Sequence, residues 1–338
     1  MNPFKDWSRF LFGPISARPL GAFRIAFGLI ILMYLGIMSV EFDHWYTGAG
    51  LLQGTEAREA AGPLRFSPLQ YVTDPTVAHL FYAFTVAVAV GFTLGWRTRL
   101  MSVLLYLCML SLYHRNVSSN GGPDAVPFIV TFYMMFCPSG AAYSLDALKA
   151  ARKRGSAAEP LIVPWGVRLL QMQICLIYFQ STIIKLQGQL WLNGTTVHYI
   201  IFLREYRDQN LEVLAQYPLL INFMTHGAIL TQFALAFWLW FRPTRRWAML
   251  AGLALHAGIR PILNIPAFGE VMTAVYLTFL APDELDALLR FLDPRTRMAR
   301  LGLGFNGRAL WNRAGRPAVI PGYQQLEFPF EGLDGQTV

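Results

Sequence analysis

The sequence predicts an all-α, polytopic helical membrane protein of about eight transmembrane helices, with both termini cytoplasmic. Three observations carry this expectation. The 338 residues are 54% hydrophobic and only 14% charged, where a soluble domain carries about 25% charged residues. Apolar windows of roughly 20 residues, the length a bilayer requires, recur along the chain. Basic residues gather in alternate loops, which is how orientation is written into a membrane protein. The net charge of +8 is therefore read as loop charge at a membrane surface, and nucleic acid is not an expected partner.

Taken in order, the spans are expected at residues 20–40, 76–96, 100–114, 125–143, 164–186, 219–241, 247–264 and 268–282. The third and the last two are short for a bilayer, so a tilted or re-entrant element is open there. The first apolar run follows mixed residues and is long enough to span, which argues against a cleavable signal. With the N-terminus inside, 21 of the 28 basic residues fall in or beside inside segments, while Arg58, Arg65, Arg115, Lys185, Arg204, Arg207 and Arg260 lie outside. That asymmetry fits an even number of spans and an integral protein of the plasma (inner) membrane. Residues 41–75 read as an irregular outer loop with Trp45, Tyr46 and Tyr71 at headgroup level, and the basic linker 146–160 separates two groups of four spans. "TGAG" at Thr47–Gly50 lacks the Lys and helix of a phosphate cradle and reads as a turn. Residues 1–285 are expected to form the membrane domain and 286–338 a short cytoplasmic tail. Cys108, Cys137 and Cys175 sit in apolar runs without CxxC spacing, so they are expected to be free thiols used as small apolar residues.

Ionisable residues at membrane depth are costly and face a partner or a cavity, so chemistry is sought among the polar groups the spans carry. Lys185 ends the fifth span and is one of four lysines against 24 arginines. The other three, Lys5, Lys149 and Lys153, lie in polar stretches. His114, Arg115 and Asn116 end the third span, Asp124 opens the fourth, Asn222 and His226 lie in the sixth, and Glu270 begins the eighth. His256, Arg260 and Asn264 stand at i, i+4 and i+8, on one face of the seventh. Nearly all of these are expected in the outer half of the membrane.

Gln171, Tyr178 and Lys185 recur every seven residues as a polar stripe on the fifth span, with Gln171 and Tyr178 hydrogen-bonding to a neighbouring helix. Lys185 has two readings: a snorkelling cation or structural ion pair with Glu270, or a reacting amine. His256 and Arg260 likewise either orient an oxyanion or quinone oxygen or clamp Glu270. His114 and His198 read as interfacial hydrogen-bonders, and His198, His226 and His256 lack the spacing of a metal site, so no metal is expected. Arg24 reads as a marker of the cytoplasmic boundary.

Three stretches carry a resemblance: "IYFQSTIIKLQGQLWLNGTTVHY" (177–199), "SLYHRNVSSNGGPDAVPFIVTFYMMFCPSGAAYSLD" (111–146) and "LHAGIRPILNIPAFGEVMTAVYLTFL" (255–280). Together they resemble the horizontally transferred transmembrane (HTTM) domain, the membrane module of the vitamin K-dependent gamma-carboxylase, over about residues 12 to 285. The most specific element is an aromatic-rich helix followed by Lys, a short gap, Trp and Gly. In the carboxylase the lysine of that element is the base that deprotonates vitamin K hydroquinone, and Lys185 is similar to it in position. An amine serves as a base only when neutral, which burial favours, whereas arginine stays protonated. The resemblance implies a quinol of the vitamin K or menaquinol type as cofactor and a peptide or protein substrate. Lys185 is the implied catalytic base, with His256, Arg260, Asp124 and Glu270 as orienting or charge-balancing groups. Tyr178, Trp191, His226 and Asn264 are the implied quinol-binding residues, and the site faces the extracytoplasmic side. The sequence departs from the carboxylase at Gly121, Gly122, Pro123 and Asp124, where that enzyme carries an Asn-His pair. No counterpart of its propeptide-binding lumenal domain is expected. The alternative from another class is a non-catalytic membrane protein, a transporter or an assembly partner of a secreted protein.

Overall fold

The computed structural model describes residues 3–51, 54–115, 117, 121–122, 124–154, 159–203 and 211–293. Asn116, Pro123, Arg204, Arg207 and the tail beyond 293 lie outside the described residues. Helix α1 (Pro3–Phe12) precedes a two-residue strand, β1 (Ile15–Ser16), which pairs antiparallel with β2 (Leu161–Ile162). Between them run α2 (Arg18–Met38), α3 (Phe42–Tyr46), α4 (Gly54–Ala61), α5 (Pro75–Leu94), α6 (Thr98–Arg115), α7 (Ala125–Met134) and α8 (Leu145–Arg154). After β2 come α9 (Trp165–Leu186), α10 (Gln189–Leu192), α11 (Thr196–Ile200), α12 (Pro218–Trp238) and α13 (Arg242–Ile259). The last elements are α14 (Phe268–Ala274), a 3-10 turn (Val275–Phe279) and α15 (Pro282–Leu292). The chain divides into two compact units, Met1–Ala287 and Leu288–Val338, and of the second only the end of α15 and Asp293 are described.

Among the described residues, four helices are long and apolar enough to cross a membrane: the run Arg18–Tyr46, α5, α9 and α12. α7 and the segment Phe268–Phe279 are apolar but shorter. Local sequence explains where the long helices begin and stop. Proline stands in the first turn of α2, α5, α12 and α13, where its missing N–H breaks no helical bond. Asp74 caps α5 by accepting from the Thr76 N–H at 2.8 Å. Gly95 ends the same helix at φ +70°, and a Cβ there would come within 2.3 Å of Ser144 Cβ and 3.0 Å of Arg24 Cζ. Both conformation and space therefore demand glycine.

Two expected spans are shorter than predicted. α7 stops at Met134 rather than near 143, since Pro138 cannot continue a helical ladder and residues 139–143 turn to enclose Arg24. α13 stops at Ile259 rather than 264: Pro261 has no N–H, and the Ile262 and Leu263 N–H groups both return to the Ile259 carbonyl, at 3.0 and 2.8 Å. Asn264 thus leaves the helix face that the i, i+4, i+8 spacing assigned to it. Arg24, read from sequence as a marker of the cytoplasmic boundary, is built into the fold. It is fully buried and donates to the carbonyls of Ser139 (2.6 Å), Ala142 (3.1 Å) and Tyr143.

Helix α9 packs on α12, α12 on α13 and α13 on α14, while α2 packs on α5, α5 on α6 and α6 on α7. The two groups meet where α7 touches α9 and α14, and where α2 lies along Val275–Phe279. One large apolar cluster runs through both, including Phe23, Phe27, Phe92, Leu170, Tyr178 and Val275, and a smaller one gathers Val197, Ile201, Ile221 and Ile262. The basic linker therefore does not separate two independently cored halves. Cys108, Cys137 and Cys175 are free and buried.

Loops that share a charge pattern in the sequence share an end of the bundle. At one end Arg18 binds Asp286 and donates to the Tyr143 hydroxyl at 3.0 Å, Arg242 pairs with Asp283, and Arg245 pairs with Glu284 at 2.9 Å. At the other, the loop after α3 is sewn to the end of α6: Ser67 to Ser111 at 2.9 Å, Gln70 Nε2 to the His114 carbonyl at 3.1 Å, and Arg115 to the Thr47 carbonyl at 2.9 Å.

Asp146, in the first turn of α8, caps α6 at the basic end. It accepts from Arg97 N–H (3.0 Å), Thr98 N–H (2.7 Å) and the Thr98 hydroxyl (2.7 Å). Partial burial opposes its charge, but these donors prevail and hold the carboxyl below its ordinary value. The stabilisation is therefore present above the unfolded carboxylate pKa of about 3.9 and is lost as pH falls through the lower folded value. Asp146→Asn is expected to lower the melting temperature of the detergent-solubilised protein near neutral pH, and the gap to wild type should close as pH falls through the lowered folded value. A gap of unchanged size in acid would mean that the side chain's shape, not its charge, supports the cap.

Candidate functional site

Helix α9 carries the polar stripe, and the structure resolves it into separate jobs. Gln171 is buried, donates to the Thr278 carbonyl at 2.7 Å and accepts from Arg168 at 3.0 Å. Tyr178 is buried one level further along. Its hydroxyl lies 2.9 Å from His256 Nε2 and 2.7 Å from the Tyr276 hydroxyl. Both residues thus bridge helices through hydrogen bonds, as the spacing suggested. Tyr276 was not foreseen from sequence, and the one signal for it is Gly252 on the facing helix: a Cβ there would lie 2.3 Å from the Tyr276 oxygen. His256 is 6% exposed, packs edge-on to Phe268, and its Nδ1 has no hydrogen-bond partner among the described residues.

Lys185 ends the stripe and belongs to a different cluster. Its ammonium donates to the Ser181 hydroxyl at 2.6 Å and sits 4.9 Å from the centroid of the Trp191 ring. The chain makes this possible by reversing at once: the Gly188 N–H returns to the Lys185 carbonyl at 3.0 Å, and α10 brings Trp191 back beneath the helix end. Gly194 closes α10 at φ +73°, and a Cβ there would meet Asn222 Nδ2 at 2.0 Å. His226 holds the same hairpin, with Nε2 3.2 Å from the Leu192 carbonyl and Nδ1 3.1 Å from the Asn222 amide oxygen. His226 therefore positions the segment that carries Trp191.

The ion pair expected between Lys185 and Glu270 does not form. Glu270 is bound by Arg260, closing the loop between α13 and α14, and no hydrogen bond or ion pair joins Lys185 to any acidic residue among the described residues. Asp124 also stays apart from Lys185, accepting from the Gly121 N–H at 2.8 Å in the turn before α7. Asn264 is exposed in the loop after Pro261. Of the sequence-predicted residues, the fold brings together Lys185 with Trp191, Tyr178 with His256, and Arg260 with Glu270. Two open depressions among the described residues lie elsewhere, one on α1 and one beside Arg58 and Tyr71. The same residues contain no group of three His, Cys, Asp or Glu side chains placed to hold a metal.

Long apolar helices, polar side chains spent on interhelical hydrogen bonds, and a lysine held at one helix end define an integral helical membrane protein. The HTTM domain family model matches residues 12–283, and the chain belongs to that family. It is similar to YitO of Bacillus subtilis (strain 168), described as uncharacterized, with 24% identity over 246 residues, 70% of this chain and 73% of that protein. No solved structure matches.

Proposed function

We propose that the chain is a membrane enzyme in which the Lys185 amine acts as a base toward a hydroxyl of a vitamin K- or menaquinol-type quinol, in support of modification of a peptide or protein substrate. The observation that carries this reading is the company Lys185 keeps: a neutral hydroxyl and an aromatic face, with no carboxylate bound to it among the described residues. Glu270, the acid that would have given the lysine a purely structural role, is already paired with Arg260. A proton acceptor beside an indole face fits a hydroxyl borne on a planar ring. When bound, the quinol would supply an acidic hydroxyl and reducing equivalents. Ser181 orients the amine through its 2.6 Å hydrogen bond, and Trp191 offers a stacking face. The Tyr178, His256 and Tyr276 network holds α9, α13 and the turn after α14 in register behind them.

The reading includes eight spans with both termini in the cytoplasm and the Lys185 end facing the extracytoplasmic side of the plasma membrane. Supporting it is the clustering of Arg18, Arg242 and Arg245 at the end opposite Lys185, in keeping with positive-inside orientation. A cysteine placed at Glu56 is expected to react with an impermeant maleimide in intact cells, and one at Lys153 only after the membrane is opened. Labelling at Lys153 from outside would invert the orientation. The second reading, a non-catalytic transporter or assembly partner, is favoured by one observation: among the described residues, neither the depression on α1 nor the one beside Arg58 and Tyr71 includes Lys185. Quinol consumption by wild-type and Lys185→Arg protein in native lipid decides between the two.

A further inference from the structure

We propose that α1 lies in the membrane interface at the basic end of the bundle and carries a binding site for the headgroup of an anionic phospholipid. Lys5, Ser8, Arg9 and Phe12 stand at i, i+3, i+4 and i+7, on one face of the helix. With Gly13 they line an open depression of about 450 Å³. Lys5 and Arg9 form no ion pair among the described residues. Like charges one turn apart repel, and Asp6, three residues before Arg9, offsets only part of their charge, so this side keeps a net positive charge, with the Ser8 hydroxyl beside the cations to donate to a phosphate oxygen. A phosphodiester relieves the repulsion.

The occupant is a lipid rather than a free anion because of what flanks the cations. Phe12, on the cation face, is 55% exposed, and Trp7, about half a turn round the helix and edge-on to Phe10 at 5.8 Å, is 58% exposed; exposed rings on a helix that also carries cations match the boundary between headgroup and acyl chain. The remaining face of α1 is fixed to the bundle. Phe10 packs on Trp240 with centroids 5.7 Å apart, the Arg168 guanidinium sits 4.6 Å from the Phe10 ring centroid, and Arg168 donates to the Phe10 carbonyl at 3.3 Å. The headgroup site therefore lies on the side of α1 turned away from Phe10, with the helix behind it fixed to the bundle. α8, attached at the basic end through Asp146, repeats the pattern, with Leu148 60% exposed next to Lys149. This inference is independent of any role for Lys185.

The test uses the full chain in phosphatidylcholine nanodiscs containing phosphatidylglycerol with brominated acyl chains, and reads quenching of Trp7 as the difference between wild type and Trp7→Phe. Trp7 is expected to be quenched at low mole fractions of the brominated anionic lipid. The double variant Lys5→Gln/Arg9→Gln should need about 30-fold more of it, while the charge-keeping Lys5→Arg/Arg9→Lys variant and the distant Lys149→Gln/Lys153→Gln variant should behave like wild type. Millimolar inorganic phosphate should leave the signal unchanged. The proposal is overturned by equal quenching from brominated phosphatidylcholine, by a double variant that keeps the wild-type response, or by displacement of the lipid with phosphate alone.

Discussion

Lys185→Arg is expected to remove turnover by about 10²- to 10⁴-fold, the contribution typical of a positioned base, while leaving the protein folded and inserted. Arginine keeps the charge, the reach to Ser181 and the contact with Trp191, but it cannot give up its proton. Lys185→Ala should lose turnover to the same extent. Its stability cost is expected to stay below about 2 kcal/mol, because the substitution removes one hydrogen bond and one cation–π contact and strands no carboxylate. Had Lys185 been paired with Glu270, the same change would have exposed a buried charge at about 3 to 5 kcal/mol. A small primary amine in solution should partly restore the Ala variant and not the Arg variant, since only the smaller side chain leaves room for it. The measurements are quinol consumption and detergent melting for wild type and both variants. A fully active Lys185→Arg protein would remove the base from the mechanism and make the non-catalytic reading the better one.

The largest effect on folding is expected at Arg24, where Arg24→Ala should cost about 3 to 5 kcal/mol. The guanidinium fork is fully buried and serves three carbonyls, of Ser139, Ala142 and Tyr143. Its removal leaves those acceptors inside the bundle without donors and opens a cavity beside Gly95. Arg24→Lys should fall in between, since a single ammonium has the charge but not the planar spread needed to reach all three. Melting in detergent, read together with protease cleavage between α7 and α8, checks both claims. Equal stability of the Lys variant and wild type would show that charge alone, and not the fork, organises that loop.

The contrast between Arg24 and Lys185 shows where the sequence was informative. Both were visible as rare charges in apolar segments, but Lys185 keeps neighbours from its own stretch, Ser181 and Trp191, whereas Arg24 takes partners far along the chain. Arg24 looked like a boundary residue because its partners lie more than 100 positions away, in a stretch that apolar composition alone assigned to a helix. The extent of α13 was misjudged for a local reason, Pro261, whose effect was legible but was outweighed by the apolar run around it. The polar stripe was read correctly for Gln171 and Tyr178, since seven-residue spacing fixes a helix face whatever the fold. Tyr276 escaped because nothing in its own segment marks it, and only the packing of α13 against the 3-10 turn brings its hydroxyl to Tyr178.

Composition, apolar run length and charge placement determined that this chain is a helical membrane protein and which loops belong together, because insertion depends on transfer free energies summed over local windows. The Lys, Trp and Gly spacing in 185–191 carried the family resemblance, but the reversal that lays Trp191 on Lys185 came from the structure. Tertiary structure alone decided the pairings: Glu270 with Arg260 instead of Lys185, His256 with Tyr178, Arg24 with three carbonyls. Those choices depend on distances between helices far apart in sequence, where a side chain takes whichever partner the packing brings within reach of a hydrogen bond.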